Sequence, residues 1–205
     1  MSLRLMGWLL AAMIASSPAL ACKGRNVILA DDFTTPDAAW GDNDDSFIIG
    51  SGTLQLKPAP GSTLGGVYQG ELFEDADICI DMVMPTGRNP PNGGLLFWWQ
   101  DWDNAYLFQA DATGSAAVFR WQRGRGLFPV SWRKAPSLKT AANAVNTLRL
   151  TLKGGTATAY INDQRFATFK GNPPQGGGMI GAFGASENGV SNTWTFSNLK
   201  VTDLP

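Results

Sequence analysis

The stretch NTLRLTLKGGTATAYINDQRFATF, Asn146 to Phe169, decides the fold. Leu148, Leu150 and Leu152 alternate with Thr147, Arg149, Thr151 and Lys153, so one side of this segment is apolar and the other polar. That period of two belongs to a half-buried strand. Gly154 and Gly155 follow, a pair suited to the positive φ angles of a tight hairpin turn, and Thr156 to Ile161 returns as the partner strand. Asn162 and Asp163 repeat the turn chemistry before a third strand, Gln164 to Phe169.

The same punctuation extends outward. Gly176 to Gly178 introduce a strand at Met179 to Ala185, and the last runs from Thr193 to Val201. Upstream, Val27 to Ala30, Phe47 to Ile49, Thr53 to Lys57 and Ala76 to Met84 have the same character. Ser137 to Ala144, after Pro136, is the one segment that reads as a helical turn. About a dozen strands at regular spacing predict an all-β chain, an antiparallel β-sandwich or jelly roll. With no linker, repeat or low-complexity tract, residues 22–205 are expected to form a single domain, long enough to bury about 70% of its unfolded surface.

Residues 1–21 read differently. Arg4 precedes an apolar run from Leu5 to Ala15, then Ser16, Ser17 and Pro18 lead to the small residues Ala19 and Ala21. This is the order of a cleavable signal peptide, and the run is shorter than the roughly 20 residues a membrane helix needs. The expected location is the periplasm or the cell exterior, with no integral membrane span. Export places Cys22 and Cys79 where disulfides persist, so a Cys22 to Cys79 bridge is expected. Lipidation of Cys22 is the alternative, although Pro18 and Ala19 fit that signal poorly.

Sixteen Lys and Arg against 17 Asp and Glu leave a net charge of −1, which lacks the basic field that nucleic acid requires. The cluster Arg120, Arg123, Arg125, Arg133 and Lys134 is small and local.

Gly93 to Gln122 holds two hairpins with turns at Asp101 to Asn104 and Asp111 to Gly114. Counting outward from the turns sets Trp99 opposite Tyr106, Phe97 opposite Phe108, and Phe119 beside Tyr106. One face would then carry Leu95, Phe97, Trp99, Tyr106, Phe108, Phe119 and Trp121, an apolar core face. The other would carry Leu96, Trp98, Gln100, Leu107, Gln109, Val118, Arg120 and Gln122. Flat aromatic area among amide and guanidinium groups suits a carbohydrate, whose rings present apolar C–H faces and whose hydroxyls need planar donors and acceptors. The expected binding residues are Trp98, Gln100, Gln109, Arg120 and Gln122, with Trp102 at a hairpin tip and Trp132 as extensions.

Three runs carry a resemblance: GGLLFWWQDWDNAYLFQAD at Gly93 to Asp111, the Asn146 to Phe169 stretch, and WTFSNLKVTD at Trp194 to Asp203. Together they resemble the bacterial 3-keto-disaccharide hydrolase domain family within the concanavalin A-like lectin and glucanase superfamily, with Asp31, Asp32 and Phe33 matching its usual opening. The resemblance implies a concanavalin A-like jelly roll whose polar concave face binds sugar. It also implies an arginine where this chain has Trp98 and a glutamate where it has Leu107, with Gln109 alone retained.

The chemistry follows from what the side chains allow. Glycoside hydrolysis needs two carboxyl groups, about 5–9.5 Å apart, and the mixed face has none. Carboxylates such as Asp101 or Glu187 would have to come from loops. Asp77, Cys79 and Asp81 alternate on what reads as a solvated outer strand face. The absence of histidine removes triad catalysis and histidine-bearing metal sites. No cofactor is expected. Asp42, Asn43, Asp44 and Asp45 offer calcium four oxygen-bearing side chains but depart from EF-hand spacing, so a solvated acidic turn is the expectation. The leading reading is an exported, non-catalytic or weakly catalytic glycan-recognition domain. A glycoside hydrolase and an envelope interaction protein are the alternatives.

Overall fold

The computed structural model describes residues 22–86 and 91–205, so the leader expected over residues 1–21 lies outside it. Two antiparallel sheets stack as a sandwich. The first contains β1 (Val27–Asp31), β2 (Phe47–Gly50), β3 (Thr53–Leu56), β5 (Ala76–Val83), β10 (Val145–Lys153), β11 (Thr156–Ile161), β12 (Gln164–Lys170) and β14 (Trp194–Thr202). Its order is β12-β11-β10-β5-β14-β3-β2, with β1 also paired to β14. The second contains β4 (Thr63–Phe73), β6 (Asn92–Asp101), β7 (Asn104–Asp111), β8 (Ser115–Gln122), β9 (Arg125–Lys134) and β13 (Gly178–Ala185), in the order β4-β13-β6-β7-β8-β9.

The leucine alternation does what its period requires. Leu148, Leu150 and Leu152 are fully buried and lie opposite Ile80, Ile78 and Ala76 of β5. They meet Leu95, Phe97, Phe108, Val118 and Ile180 of the second sheet in one continuous core. Each such side chain contributes about 1.5–3 kcal/mol by leaving water. The Gly154–Gly155 turn forms, with Lys153 opposite Thr156.

Three local expectations change. Ser137 to Ala144 is a series of turns without helix. The helical turn among the described residues is a 3-10 turn at Ala38–Trp40, capped by the Asp37 carboxylate, which accepts from the Ala39 N–H at 2.9 Å. Strands β4 and β9 also form although glycines, and Pro129 in β9, weaken their sequence signal; both lie at sheet edges, where proline is tolerated.

The outer face of β5 is not simply solvated. Asp77 is fully buried and Cys79 nearly so, because the N-terminal segment crosses them and Cys22 is disulfide-bonded to Cys79 with Cα atoms 5.6 Å apart. Asp77 receives two hydrogen bonds from the buried Arg149, at 2.7 and 2.9 Å, and a third from the Lys23 backbone N–H at 2.8 Å. Arg149 in turn lies over the Tyr160 ring. A buried carboxylate persists only when its oxygens are answered in this way.

Candidate functional site

The strand register rearranges the predicted faces. The first hairpin closes as counted, with Asp101 opposite Asn104, but two pairs further on Phe97 opposes Tyr106. Trp98, Trp99 and Gln100 therefore occupy a bulge in β6. Trp98 has φ 46° and turns inward, 2% exposed, against Phe97 and an edge-on Tyr106. Gly171 makes room for it, since a Cβ there would lie 2.2 Å from the Trp98 ring. Trp99 then emerges on the outer face and packs with Leu96, Leu107 and Phe183.

The second hairpin is offset by one residue from the count. Tyr106 opposes Arg120 and Leu107 opposes Phe119. Trp99, Phe119 and Trp121 consequently belong to the outer face, whereas Trp98 and Val118 are core and Arg120 lies over Tyr106, its guanidinium carbon 4.9 Å from the ring centre. Leu95, Phe97, Tyr106 and Phe108 hold their expected inward positions, and Leu96, Leu107 and Gln109 their expected outer ones.

A hollow of about 850 Å³ crosses the outer face of the second sheet from β4 to β9. Leu107, Gln109, Phe119 and Phe183 belong to its lining, together with the exposed rings of Trp102, Trp121, Phe128 and Trp132. Trp102 reaches over from the β6–β7 hairpin onto Gly65, where a Cβ would stand 2.5 Å from its ring, and meets Trp99 edge-on. Phe119 packs edge-to-face with both Trp121 and Phe128, with ring centres 5.1 and 5.0 Å apart. Gln109 is buried at the margin and accepts a hydrogen bond on Oε1 from Asn92. Asp103 is the one acidic residue in this lining.

Of the predicted binding residues, Gln109 and Trp102 border this hollow, as does Trp132. Trp98, Gln100, Arg120 and Gln122 are gathered instead at a smaller hollow of about 230 Å³ at the end of the sandwich, with Tyr106, Arg123 and Asn172. There the Tyr106 hydroxyl accepts from the Asn172 N–H at 2.8 Å. Burial pushes its phenol above the ordinary value of 10.0, while the Asn172 hydrogen bond and the Arg120 charge pull it partly back. The sequence offered a signal for the aromatic wall that the count from the turns did not exploit: Phe119 and Trp121, then Phe128 and Trp132, recur with even spacing on two neighbouring strands.

The other carboxylates singled out in the sequence lie away from this hollow. Asp101 caps its own hairpin, accepting from the Asp103 N–H and the Asn104 amide. Glu187 does not line the aromatic hollow. Asp44 accepts from the Ser46 N–H and hydroxyl and from the Phe47 N–H, and the Ser46 hydrogen bonds hold its carboxyl below the usual range. Asn43 clasps both backbone groups of Ile49. Another hollow, about 910 Å³, lies beside the disulfide; its Asp31 is taken by the Phe33 N–H and the Trp40 indole, and its Asp81 by Thr147 and Asn198. It contains no aromatic ring.

Solved structures share the arrangement of the two sheets. A carbohydrate-binding module, CBM66, from Bacillus subtilis is 18% identical with a TM-score of 0.60, over 73% of this chain and 86% of that one. A β-glucanase from Bacillus licheniformis is 12% identical with a TM-score of 0.61, over 85% and 97%. The fold is concanavalin A-like. A xylan β-1,4-xylosidase from Bacillus halodurans carries the same concanavalin A-like sandwich in 39% of its length, matching 85% of this chain at 12% identity and a TM-score of 0.61. No protein-family description matches the sequence, and no curated protein matches it either.

Proposed function

We propose that this chain is an exported glycan-recognition domain that holds an oligosaccharide across the aromatic hollow without hydrolysing it. The observation that carries the reading is the convergence of Trp102, Trp121, Phe128 and Trp132, all exposed, on one depression. Large exposed rings cost solvation unless a ligand covers them, and sugar C–H faces are the polar-rimmed surface that stacked tryptophans accept. Six strands about 4.8 Å apart span roughly 24 Å, a length suited to several linked rings. Gln109, Asn92 and Asp103 supply hydrogen-bonding groups at the edges. The glycan-binding and glycan-cleaving names of the structural neighbours agree with this reading.

Binding without hydrolysis is favoured because a carboxyl pair is required for most glycosidases. Residues 1–21 and 87–90 contain no Asp or Glu, so every acidic side chain of the protein lies in the described region, and Asp103 alone borders the hollow. The resemblance to the 3-keto-disaccharide hydrolases supports a sugar ligand, while Trp98 and Leu107 stand where that family's polar residues are expected. Export is supported by the leader pattern and by the Cys22–Cys79 disulfide, which leaves no Cys22 thiol for a lipid.

The test is titration of the mature protein with a panel of polysaccharides by affinity electrophoresis and tryptophan fluorescence. Retardation that is lost in Trp132→Ala and Trp121→Ala, with no product released from the bound glycan, is the expected result. Indifference to every glycan would reject the reading, and product release abolished by Asp103→Asn would convert it to the hydrolase.

A further inference from the structure

The smaller hollow has a chemistry of its own. Arg120 and Arg123 both line it, together with Gln100, Gln122 and Asn104, and no acidic residue does. Neither arginine has a carboxylate within 4.0 Å among the described residues. Arg120 is half-buried and held over the Tyr106 ring, so its position is set by packing rather than by an ion pair. Arg123 occupies the β8–β9 turn with φ 51°, its N–H donating to Asn104 Oδ1 at 3.3 Å, which fixes that turn to the neighbouring hairpin. The acids of that hairpin are Asp101, which is engaged in capping it, and Asp103, which borders the aromatic hollow instead.

Two guanidinium groups beside one polar hollow, without counter-charge, form a receptor for an anion. A guanidinium offers a planar fork that matches a carboxylate or sulfate two bonds at a time. A volume of about 230 Å³ is below the ~300–1,000 Å³ of whole-ligand sites, so it takes one charged substituent or one ring of a longer molecule. The larger hollow begins next to it, since Trp121 borders both.

From this juxtaposition we infer that the glycan recognised by this chain is acidic, its carboxylate or sulfate ester held by Arg120 and Arg123 while adjoining rings stack along the aromatic hollow. The inference rests on the glycan reading above and adds the charge of the ligand to it. Tyr106 acts beneath as the platform that aims Arg120.

The experiment compares matched pairs of polymers: polygalacturonate against its methyl ester, and a sulfated galactan against its desulfated form. The acidic member is expected to bind at least about tenfold more tightly, an advantage that shrinks as salt rises. Arg123→Gln, at an exposed turn, and Arg120→Gln should each reduce that advantage, weakening the acidic member more than the neutral one. Arg120→Lys should restore only part of it, because charge returns without the fork. Circular dichroism of each variant confirms that the fold is retained. A response to the uronate pair alone assigns a carboxylate, and to the sulfate pair alone a sulfate ester; either supports the inference. Equal affinity for both members of each pair, or an advantage that survives replacing both arginines, overturns it while leaving glycan binding intact. Failure of all four polymers to bind while another polysaccharide of the panel is retarded overturns this inference alone, and indifference to the whole panel removes the glycan reading and this inference together.

Discussion

Replacing Arg149 with methionine strands the Asp77 carboxylate. That group is fully buried and now takes three hydrogen bonds, two of them from the guanidinium at 2.7 and 2.9 Å and one from the Lys23 N–H at 2.8 Å. Removing one partner of a buried pair costs about 3–5 kcal/mol, chiefly through the charge left behind. At about 2–4 °C per kcal/mol for a chain of this size, Arg149→Met should lower the melting temperature by about 6–20 °C. The double variant Asp77→Leu with Arg149→Met removes both charges and should recover about 2 kcal/mol of that loss. What remains is the Lys23 N–H without its acceptor, about 1–3 kcal/mol, since methionine still covers much of the same apolar surface. Urea denaturation of both single variants and the double variant, with the disulfide intact, gives the cycle directly. A cost below about 1 kcal/mol for Arg149→Met, or a double variant as unstable as the summed single ones, would refute the reasoning.

Loss of the disulfide in Cys22→Ser with Cys79→Ser releases a constraint across 57 residues, up to about 4 kcal/mol in the chain-entropy description; thermal melts should show this while glycan affinity stays constant, because the bridge lies on the other sheet. Tyr106 holds its proton more tightly folded than unfolded, so it stabilises the fold below pH 10 and that contribution fades as pH rises through the raised value. Spectrophotometric titration should find two late-ionising tyrosines, Tyr68 and Tyr106, of which only Tyr106 moves later still in Arg120→Gln; titration of Tyr106 at the ordinary value would contradict the packing. Gly171→Val drives two methyl groups into the space of the Trp98 ring and should cost about 1–3 kcal/mol in a denaturant melt. An unchanged midpoint would mean that Trp98 is not pinned there.

The sandwich was legible because alternation survives in strands with one buried face. Leu148, Leu150 and Leu152 announce both the strand and its buried side, and the Gly154–Gly155 turn fixes the next. The sites were less legible because a count from a turn assumes an unbroken ladder. The extra residues at Trp98 to Gln100 have no local signature; Trp98 turns inward because Gly171, distant in sequence, leaves it space. Phe128 belongs to a strand disguised by Gly126 and Pro129, so its part in the aromatic wall was hidden with it. The Asp77–Arg149 pair depends on β5 and β10 being neighbours, a consequence of strand order that periodicity does not carry.

The placement of the tryptophans makes the protein its own optical reporter. Among the described residues Trp40, Trp98 and Trp194 are buried, Trp99 is half-buried, and the three exposed indoles, Trp102, Trp121 and Trp132, all border the aromatic hollow. The emission that acrylamide can quench therefore comes mainly from that one surface. Shielding from the quencher on adding a glycan measures occupancy without a label, and removing the three indoles one at a time would trace which section of the hollow each sugar covers.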